Sequence, residues 1–418
     1  MEYTIYRLGD IAEVKISGVD KKTHDEEVPV RLCNFVDVYY NWAITKEMTS
    51  KFMAASANDK EIESFTLHRG QVAITKDSET RDDIGIAAYI ADDFEETVLL
   101  GYHTALITPN EEVVNGKYLN ALLHSKYFHD YWFNNATGSG MRYTLSEQCI
   151  RNASVYLPSL DEQKKIGNVL SSLDRKIALN RKANELLESM AKQLYDYWFV
   201  QFDFPNEEGK PYKSSGGKMV YNETLKRDIP EGWEVKHLFE AVNVLYGFPF
   251  ATEYFTEEVT DKPLIRIRDI LEGTISAYTT EEIDDKYLLE RGDVVIGMDG
   301  NFHMNYWHND STYINQRCVR LRMLPNSPIS AMQTLHSLKP YIKAKELNAK
   351  GSTVGHLSDK DLKEMFLLLP LVTNFFNPRE RFDGLLHKII ANRNETLRLT
   401  SLRDYLLPLL MNGQVKVS

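Results

Sequence analysis

From residue 166 onward one face of the chain repeats in steps of four and three. The positions are Ile166, Leu170, Leu173, Ile177, Asn180, Asn184, Leu187, Ala191, Leu194 and Trp198, apolar except at the two asparagines. Alternating four- and three-residue steps are a heptad seam, which predicts a long helix with one apolar stripe. Adding 212 to each number gives Pro378, Phe382, Leu385, Ile389, Asn392, Thr396, Leu399, Arg403, Leu406 and Leu410, a second seam in the same register. Start signals precede both. Ser159-Leu160-Asp161-Glu162 has the spacing of a capping box, and Asn377-Pro378-Arg379-Glu380 puts proline at the first helical position. Pro408 is expected to end or bend the second helix near Leu407. Each stripe needs a partner. One solution pairs the two helices antiparallel as a spacer of about 60 Å, for roughly 40 residues at 1.5 Å each, with the polar seam positions setting register. The other packs each helix on its own domain as an ordinary amphipathic helix.

The segments before the helices also repeat. Arg7–Val14 (RLGDIAEV) matches His237–Val244 (HLFEAVNV), Val30–Phe35 (VRLCNF) matches Ile265–Ile270 (IRIRDI), and Leu67–Thr75 (LHRGQVAIT) matches Leu289–Gly297 (LERGDVVIG). Gly138–Ser146 pairs with Gly351–Ser358, and Leu157-Pro158 with Leu369-Pro370. The offset is 230 from Leu8 to Leu238, 235 from Arg31 to Arg266 and 222 from Arg69 to Arg291, then 212 from Ser146 to Ser358, Pro158 to Pro370 and Lys176 to Lys388. A drifting offset followed by a constant one describes a duplicated unit whose loops changed length while its helix did not. The predicted fold class is α+β: two mixed α/β domains in pseudo-twofold repeat, with two long helices forming an antiparallel coiled coil. The expected boundaries are 1–157 and 234–370 for the domains, 158–200 and 371–412 for the helices, 201–233 for a Gly-, Ser-, Pro- and charge-rich linker or surface-laid connection, and 413–418 for a tail.

With 418 residues, 43% of them hydrophobic, the chain has enough apolar material for two or three cores. The longest apolar run, Met365–Val372, is broken by Pro370 and too short to cross a membrane. The start MEYTIYRLGD shows no export signal. Cys33, Cys149 and Cys318 are isolated and odd in number, which suits a reducing cytoplasm better than disulfides or a zinc site. The net charge of −11 opposes phosphate binding, although affinity depends on where charges sit.

Catalytic signatures are absent from the sequence. Gly217-Lys218 runs into Met219, so no phosphate-binding loop forms; Asn377-Pro378 runs into Arg379, so no amino-methyltransferase tetrapeptide exists; no HExxH or paired cysteines appear. The acidic group Asp77, Glu79, Asp82 and Asp83 reads as a solvated loop in preference to a metal site. What remain are polar loops at matched places. Lys76 to Arg81 follows the Gln71–Thr75 strand, and Met298 to Trp307 follows the Asp293–Gly297 strand. The second carries Asn, His and aromatic side chains suited to base edges and stacking, and Asn315-Gln316-Arg317 adds two amides and a guanidinium. Ordinary loop polarity accounts for each taken alone. Arg69 with Arg291 and Arg31 with Arg266 are read as shared between the copies, either as phosphate contacts or as structural ion pairs.

Two repeated domains, the Leu157–Ile166 opening LPSLDEQKKI and the central stretch DFPNEEGKPYKSSGGKMVYNETLKRDIPEGW together resemble the specificity subunit of type I restriction–modification enzymes. The resemblance spans nearly the whole chain. It implies two target-recognition domains that each read half of a split, asymmetric duplex DNA site, held apart by the helices. It implies two methyltransferase (modification) subunits and two restriction/translocase subunits as partners. S-adenosylmethionine, ATP and Mg would sit on those partners, with no cofactor, metal or catalytic residue on this chain. The DNA-binding candidates are then Lys76, Ser78, Arg81, Ser139, Met141, Arg142 and Tyr143 in the first domain, and Met298, Asn301, His303, Asn305, Tyr306, Asn315, Gln316, Arg317, Ser352, Thr353 and His356 in the second. The chain departs from the pattern in carrying Arg403 on the seam, in lacking a DEQ string at the second helix and in lacking a second copy of the central stretch. The competing reading is a non-catalytic coiled-coil scaffold that binds protein. A self-sufficient methyltransferase or nuclease is disfavoured by the missing cofactor motifs.

Overall fold

The structure is a computed structural model that describes residues 2–140, 142–348 and 355–417. The chain forms two compact units: residues 1–178 with 397–418, hereafter unit one, and residues 179–396, unit two. These do not follow the linear boundaries expected above. Each long helix is divided between the units, because each half buries its stripe in a different core.

In unit one, five strands order as Ala12–Ile16, Thr104–Pro109, Val72–Thr75, Ala87–Ile90 and Ala43–Ile44. Strand periodicity splits the central strand between two cores. Val72 and Ile74 meet Leu8, Tyr118, Phe128 and Trp132, while Ala73 faces Cys33, Ile44, Ala88 and Leu106. A second sheet orders Met53–Ala57, Val28–Cys33, Val98–Leu100. Thr4–Arg7 pairs with Ser154–Leu157 at the base of the first long helix.

Unit two repeats this plan. Val242–Tyr246, Cys318–Met323, Val294–Gly297 and Met304–Tyr306 form its main sheet. Val294 and Ile296 face one core and Val295 the other. Pro263–Ile265 lies antiparallel to Ala277–Thr279 and parallel to Tyr313–Ile314, as Val28–Cys33 lies antiparallel to Met53–Ala57 and parallel to Val98–Leu100. Glu234–His237 pairs with Phe366–Leu369. Gly70 and Gly292 turn the chain into matched central strands at φ 100° and 94°, a region that favours glycine.

The second sequence match needs correction by three residues. Asp37 accepts from the Asn34 N–H and Asp269 from the Arg266 N–H, each three residues on, which sets Asn34 opposite Arg266. Cys33 pairs with Leu100 and Ile265 with Ile314, which sets the offset at 232. Short apolar strings tolerate such a slip; cap geometry does not. Arg31 and Arg266 are therefore not equivalent. Arg31 bonds Glu96 at 2.8 Å, and Arg266 lies 5.8 Å above the Phe255 ring.

The first long helix runs Leu160–Tyr195 and the second Pro378–Met411. Ser159 caps the first through Glu162 and Asn377 the second through Glu380. Pro408 does not end its helix near Leu407; three further residues follow it. Residue 196 onward widens to π-helical bonding, with Gln201 N donating to Asp196 O at 2.9 Å. In unit two the helix halves pair antiparallel. Asn180 donates to Glu395 at 2.8 Å, and Asn392 to Asn184 at 2.9 Å. In unit one, Arg403 lies 3.6 Å from Asp174 and 4.7 Å above the Trp42 ring. The helices also pack on their own domains. Ile166, Leu170, Leu407 and Leu410 join the unit-one core, and Phe382, Leu386, Ile389 and Ile390 the unit-two core. Burial at Leu386 and Ile390 widens the stripe beyond the seam, which leaves Leu173, Leu187, Leu385 and Leu399 half-buried and Ile177 buried.

Residues 201–233 are no free linker. Met219–Asn222 and Arg227–Pro230 form a hairpin, and Phe202, Phe204, Ile229 and Trp233 are buried in unit two. Among the described residues no helix is long and apolar enough to cross a membrane, and the three cysteines are free.

Candidate nucleic-acid interface

In unit one, the central strand Val72–Thr75 leads directly into Lys76 and Asp77. Asp77–Ser78 then joins Arg142–Thr144 and Thr137–Ser139 in a three-stranded sheet. Two backbone bonds fasten this junction: Lys76 N to His103 O at 2.9 Å and Leu145 N to Lys76 O at 2.7 Å. His103 sits just before the strand Thr104–Pro109 at φ 70°, a left-handed conformation uncommon for a residue with a side chain.

Asp77 is the hub. Its carboxylate meets Lys76 Nζ at 2.9 Å, His103 Nδ1 at 2.6 Å and Arg142 Nη2 at 3.1 Å. Arg142 also touches the His103 imidazole. Burial raises the Asp77 pKa, but bonds from Thr144, His103 and Lys76 outweigh it and hold the carboxyl far below the usual carboxylate range. Asp77 is 9% exposed and Arg142 60%, so the acid is fixed inside while the guanidinium reaches solvent. A cleft of about 520 Å³ adjoins them, lined by Tyr39, Tyr40, Asp77, Thr80, His103 and Arg142. Tyr39 and Tyr40 meet edge-on at 4.8 Å, and Phe35 stacks on Tyr39 at 5.6 Å.

Unit two builds the same junction. Met298 N donates to Arg317 O at 2.8 Å and Leu357 N to Met298 O at 2.7 Å. Asp299 stands where Asp77 does. His356 Nδ1 lies 2.7 Å from one of its oxygens and Arg317 Nε 3.9 Å from the other. Arg317 is 70% exposed and His356 60%. Arg317 thus replaces His103, and His356 replaces Thr144.

The sequence-based candidates divide accordingly. Arg142, Arg317 and His356 gather at the two carboxylates. Lys76 is there too, largely covered by its bond to Asp77. Arg81 lies 4.9 Å above the Tyr143 ring beside this cluster, and the half-buried Ser78 accepts from Thr80 N. Asn301 and Gln316 are exposed, His303 is half-buried, and Asn315 accepts from Arg317 N at 3.0 Å. Three candidates belong to the scaffold instead. Met298 and Tyr306 are buried. Asn305 donates to Ile270 O and Leu271 O and accepts from Arg393, which leaves its amide no free edge for a base. Met141, Ser352 and Thr353 lie outside the described residues, as does the side chain of Ser139.

Sequence reasoning missed Asp77, Asp299 and His103 as site residues. Asp77 was grouped with a solvated acidic loop, yet it is buried. For His103 the match shows only in the strand pairing: Thr104 and Cys318 begin matched strands 214 residues apart, which sets His103 opposite Arg317. Among the described residues no group of three or more His, Cys, Asp or Glu is placed to hold a metal.

Residues 1–189 and 230–374 match the family model for the type I restriction modification DNA specificity domain. The chain belongs to this family. Both carboxylate sites fall inside the matched segments, and recognition of a DNA target is what the family does. The specificity subunit of type I restriction enzyme MjaIX from Methanocaldococcus jannaschii is 27% identical over 322 residues, covering 74% of this chain and 71% of that one. The HindI specificity subunit from Haemophilus influenzae is 22% identical over 400 residues, covering 81% and 85%. The fold is shared with the S subunit of the type I system from M. genitalium, at a TM-score of 0.56 and 15% identity over 98% of this chain and 96% of that one. The specificity family thus accounts for the duplicated plan, two domains each followed by a long helix.

Proposed function

We propose that the chain is the non-catalytic, sequence-reading subunit of a type I restriction–modification complex, and that its two units each read one half of a split duplex site through the Asp77 and Asp299 loops. One observation carries this reading: matched backbone junctions in both units present an exposed guanidinium beside a fixed carboxylate. Arginine reads guanine bidentately in the major groove. A carboxylate that bonds the arginine, as Asp77 does Arg142 at 3.1 Å, removes part of the entropy of aiming it. The exposed cations also answer the net charge of −11, since phosphate attraction depends on local charge. In this reading two modification subunits supply S-adenosylmethionine chemistry, and two translocase–nuclease subunits supply ATP- and Mg-dependent cleavage. The complex works where host DNA is, in the cytoplasm, which agrees with three free cysteines.

The test co-expresses the chain with its modification subunit and reads the methylated motif by genome sequencing. Arg142→Ala is expected to relax one half of the motif and Arg317→Ala the other. Each should cost about 1–3 kcal/mol of discrimination at one base pair, the usual worth of a bidentate contact. Relaxation of the same half by both substitutions, or an unchanged motif with either, overturns the assignment.

A further inference from the structure

Unit one carries an apolar groove of about 990 Å³ between the helices Gly116–Leu123 and Lys126–Asn135 and the last turns of the second long helix. Tyr3, Leu122, Tyr127, Tyr156, Leu407 and Met411 line it. Tyr127 and Tyr156 remain 40% and 39% exposed, large aromatic groups with one face to water.

The internal repeat indicates what such a groove accepts. By the offsets of the matched strands and helices, Tyr3 corresponds to Trp233, Tyr156 to Leu368, Leu407 to Tyr195 and Met411 to Phe199. In unit two this place is filled. Phe199, Phe202 and Phe204 surround Trp233, with ring centroids 5.2, 5.7 and 4.9 Å away, and all four side chains are buried. Phe202 and Phe204 arrive on the segment that follows the first long helix. The corresponding positions after the second are Gln414 and Lys416, both exposed. The chain thus presents two versions of one groove, one filled by its own aromatic segment and one with polar residues where the aromatic pair would stand.

We propose that the unit-one groove is a docking site for a short segment of a partner polypeptide that carries two aromatic side chains two residues apart. This is the chemistry of Phe202-Asp203-Phe204. Each aromatic side chain buries about 150–250 Å². The proposal does not depend on which bases the loops read.

The experiment titrates a fluorescent peptide with the sequence of residues 199–212 into the full chain and follows its anisotropy. Saturable binding with a Kd of about 10–100 µM is expected, an affinity fitting a short peptide. A peptide with both Phe202→Ala and Phe204→Ala should bind at least about tenfold more weakly. Tyr156→Lys and Tyr127→Glu alter exposed side chains, so the chain should keep its Tm while losing peptide affinity by about tenfold or more. In a second measurement the sequence of residues 201–233 replaces Gly413–Ser418. The graft is expected to fill the groove in cis, raise the Tm and abolish peptide binding. Equal binding of both peptides, undiminished binding to Tyr156→Lys, or no saturable binding up to about 1 mM overturns the proposal. A changed DNA motif in Tyr156→Lys would also count against it, because the groove would then belong to the reading surface.

Discussion

The Asp77 and Asp299 sites are one backbone arrangement carrying two sets of side chains. In both, a main-chain bond ties the residue before the aspartate to the end of the neighbouring strand, and another ties it to the residue after the small loop. Around the aspartate the cations change places: imidazole at His103 with guanidinium at Arg142, against guanidinium at Arg317 with imidazole at His356. The same contrast recurs deeper in each unit. Gln71 donates to Thr108 at 2.9 Å in unit one, where unit two has a two-pronged ion pair between Asp293 and Arg322 at 2.9 and 2.7 Å. The difference teaches that the main-chain network sets where side chains are delivered and leaves their chemistry free. A duplicated reader needs that separation if its halves are to read different bases.

The ion pair offers the strongest way to break the comparison. Asp293 is buried and Arg322 is 27% exposed. Asp293→Ala strands a charge and should cost about 3 kcal/mol, the low end for a broken buried pair, because Arg322 keeps Glu290 and some solvent. Asp293→Gln with Arg322→Thr installs the unit-one arrangement and is expected to recover all but about 1 kcal/mol in denaturant unfolding. If the double variant is as unstable as the single one, the two units are not interchangeable at this level.

Acid sharpens the comparison next. Burial lowers His124 in unit one to a pKa of about 4, and burial with nearby cations does the same for His308 and His336 in unit two. The unfolded chain takes up these protons near pH 6.5, whereas the folded chain takes them up only near pH 4. Stability therefore falls as the pH drops from about 6.5 toward 4 and levels off below. Between pH 7 and 5.5 each histidine contributes on the order of 1 kcal/mol. Asp77, held below its ordinary value, contributes stability that is lost only at lower pH. Hydrogen exchange at the two pH values should show unit two weakening about twice as much as unit one. Equal weakening would contradict the buried-histidine account.

The smallest effect tests the helix caps. Ser146 and Ser358 are matched N-caps, accepting from Cys149 N and Asp361 N. Only Ser358 has a reciprocal partner, since Asp361 accepts from the Ser358 N–H at 2.8 Å. Ser146→Ala should cost about 1 kcal/mol and Ser358→Ala slightly more, read as a Tm difference.

The repeat, the two long helices and their start points were legible because they rest on local patterns: heptad steps, caps and the turn glycines. The composition of residues 201–233, polar on average, points to a linker or surface-laid connection and does not reveal that Phe202, Phe204 and Trp233 are buried. Pro408 stands three residues before the helix end at Met411, where Leu407 and Leu410 are buried in the unit-one core. At the site, the exposed arginines were recognisable by type. Asp77 was not, since nothing in a run of acids says which one is buried.

By itself the sequence determined that this protein is a duplication with a constant helix and variable loops, since periodicity and offsets survive in one dimension. Only the tertiary structure decided that Asp77, His103 and Arg142 form one site. They lie 26 and 39 residues apart at successive steps, and strand pairing brings them together. Only the fold, likewise, showed that each helix serves two cores, because which atoms lose water is a property of packing and not of sequence spacing.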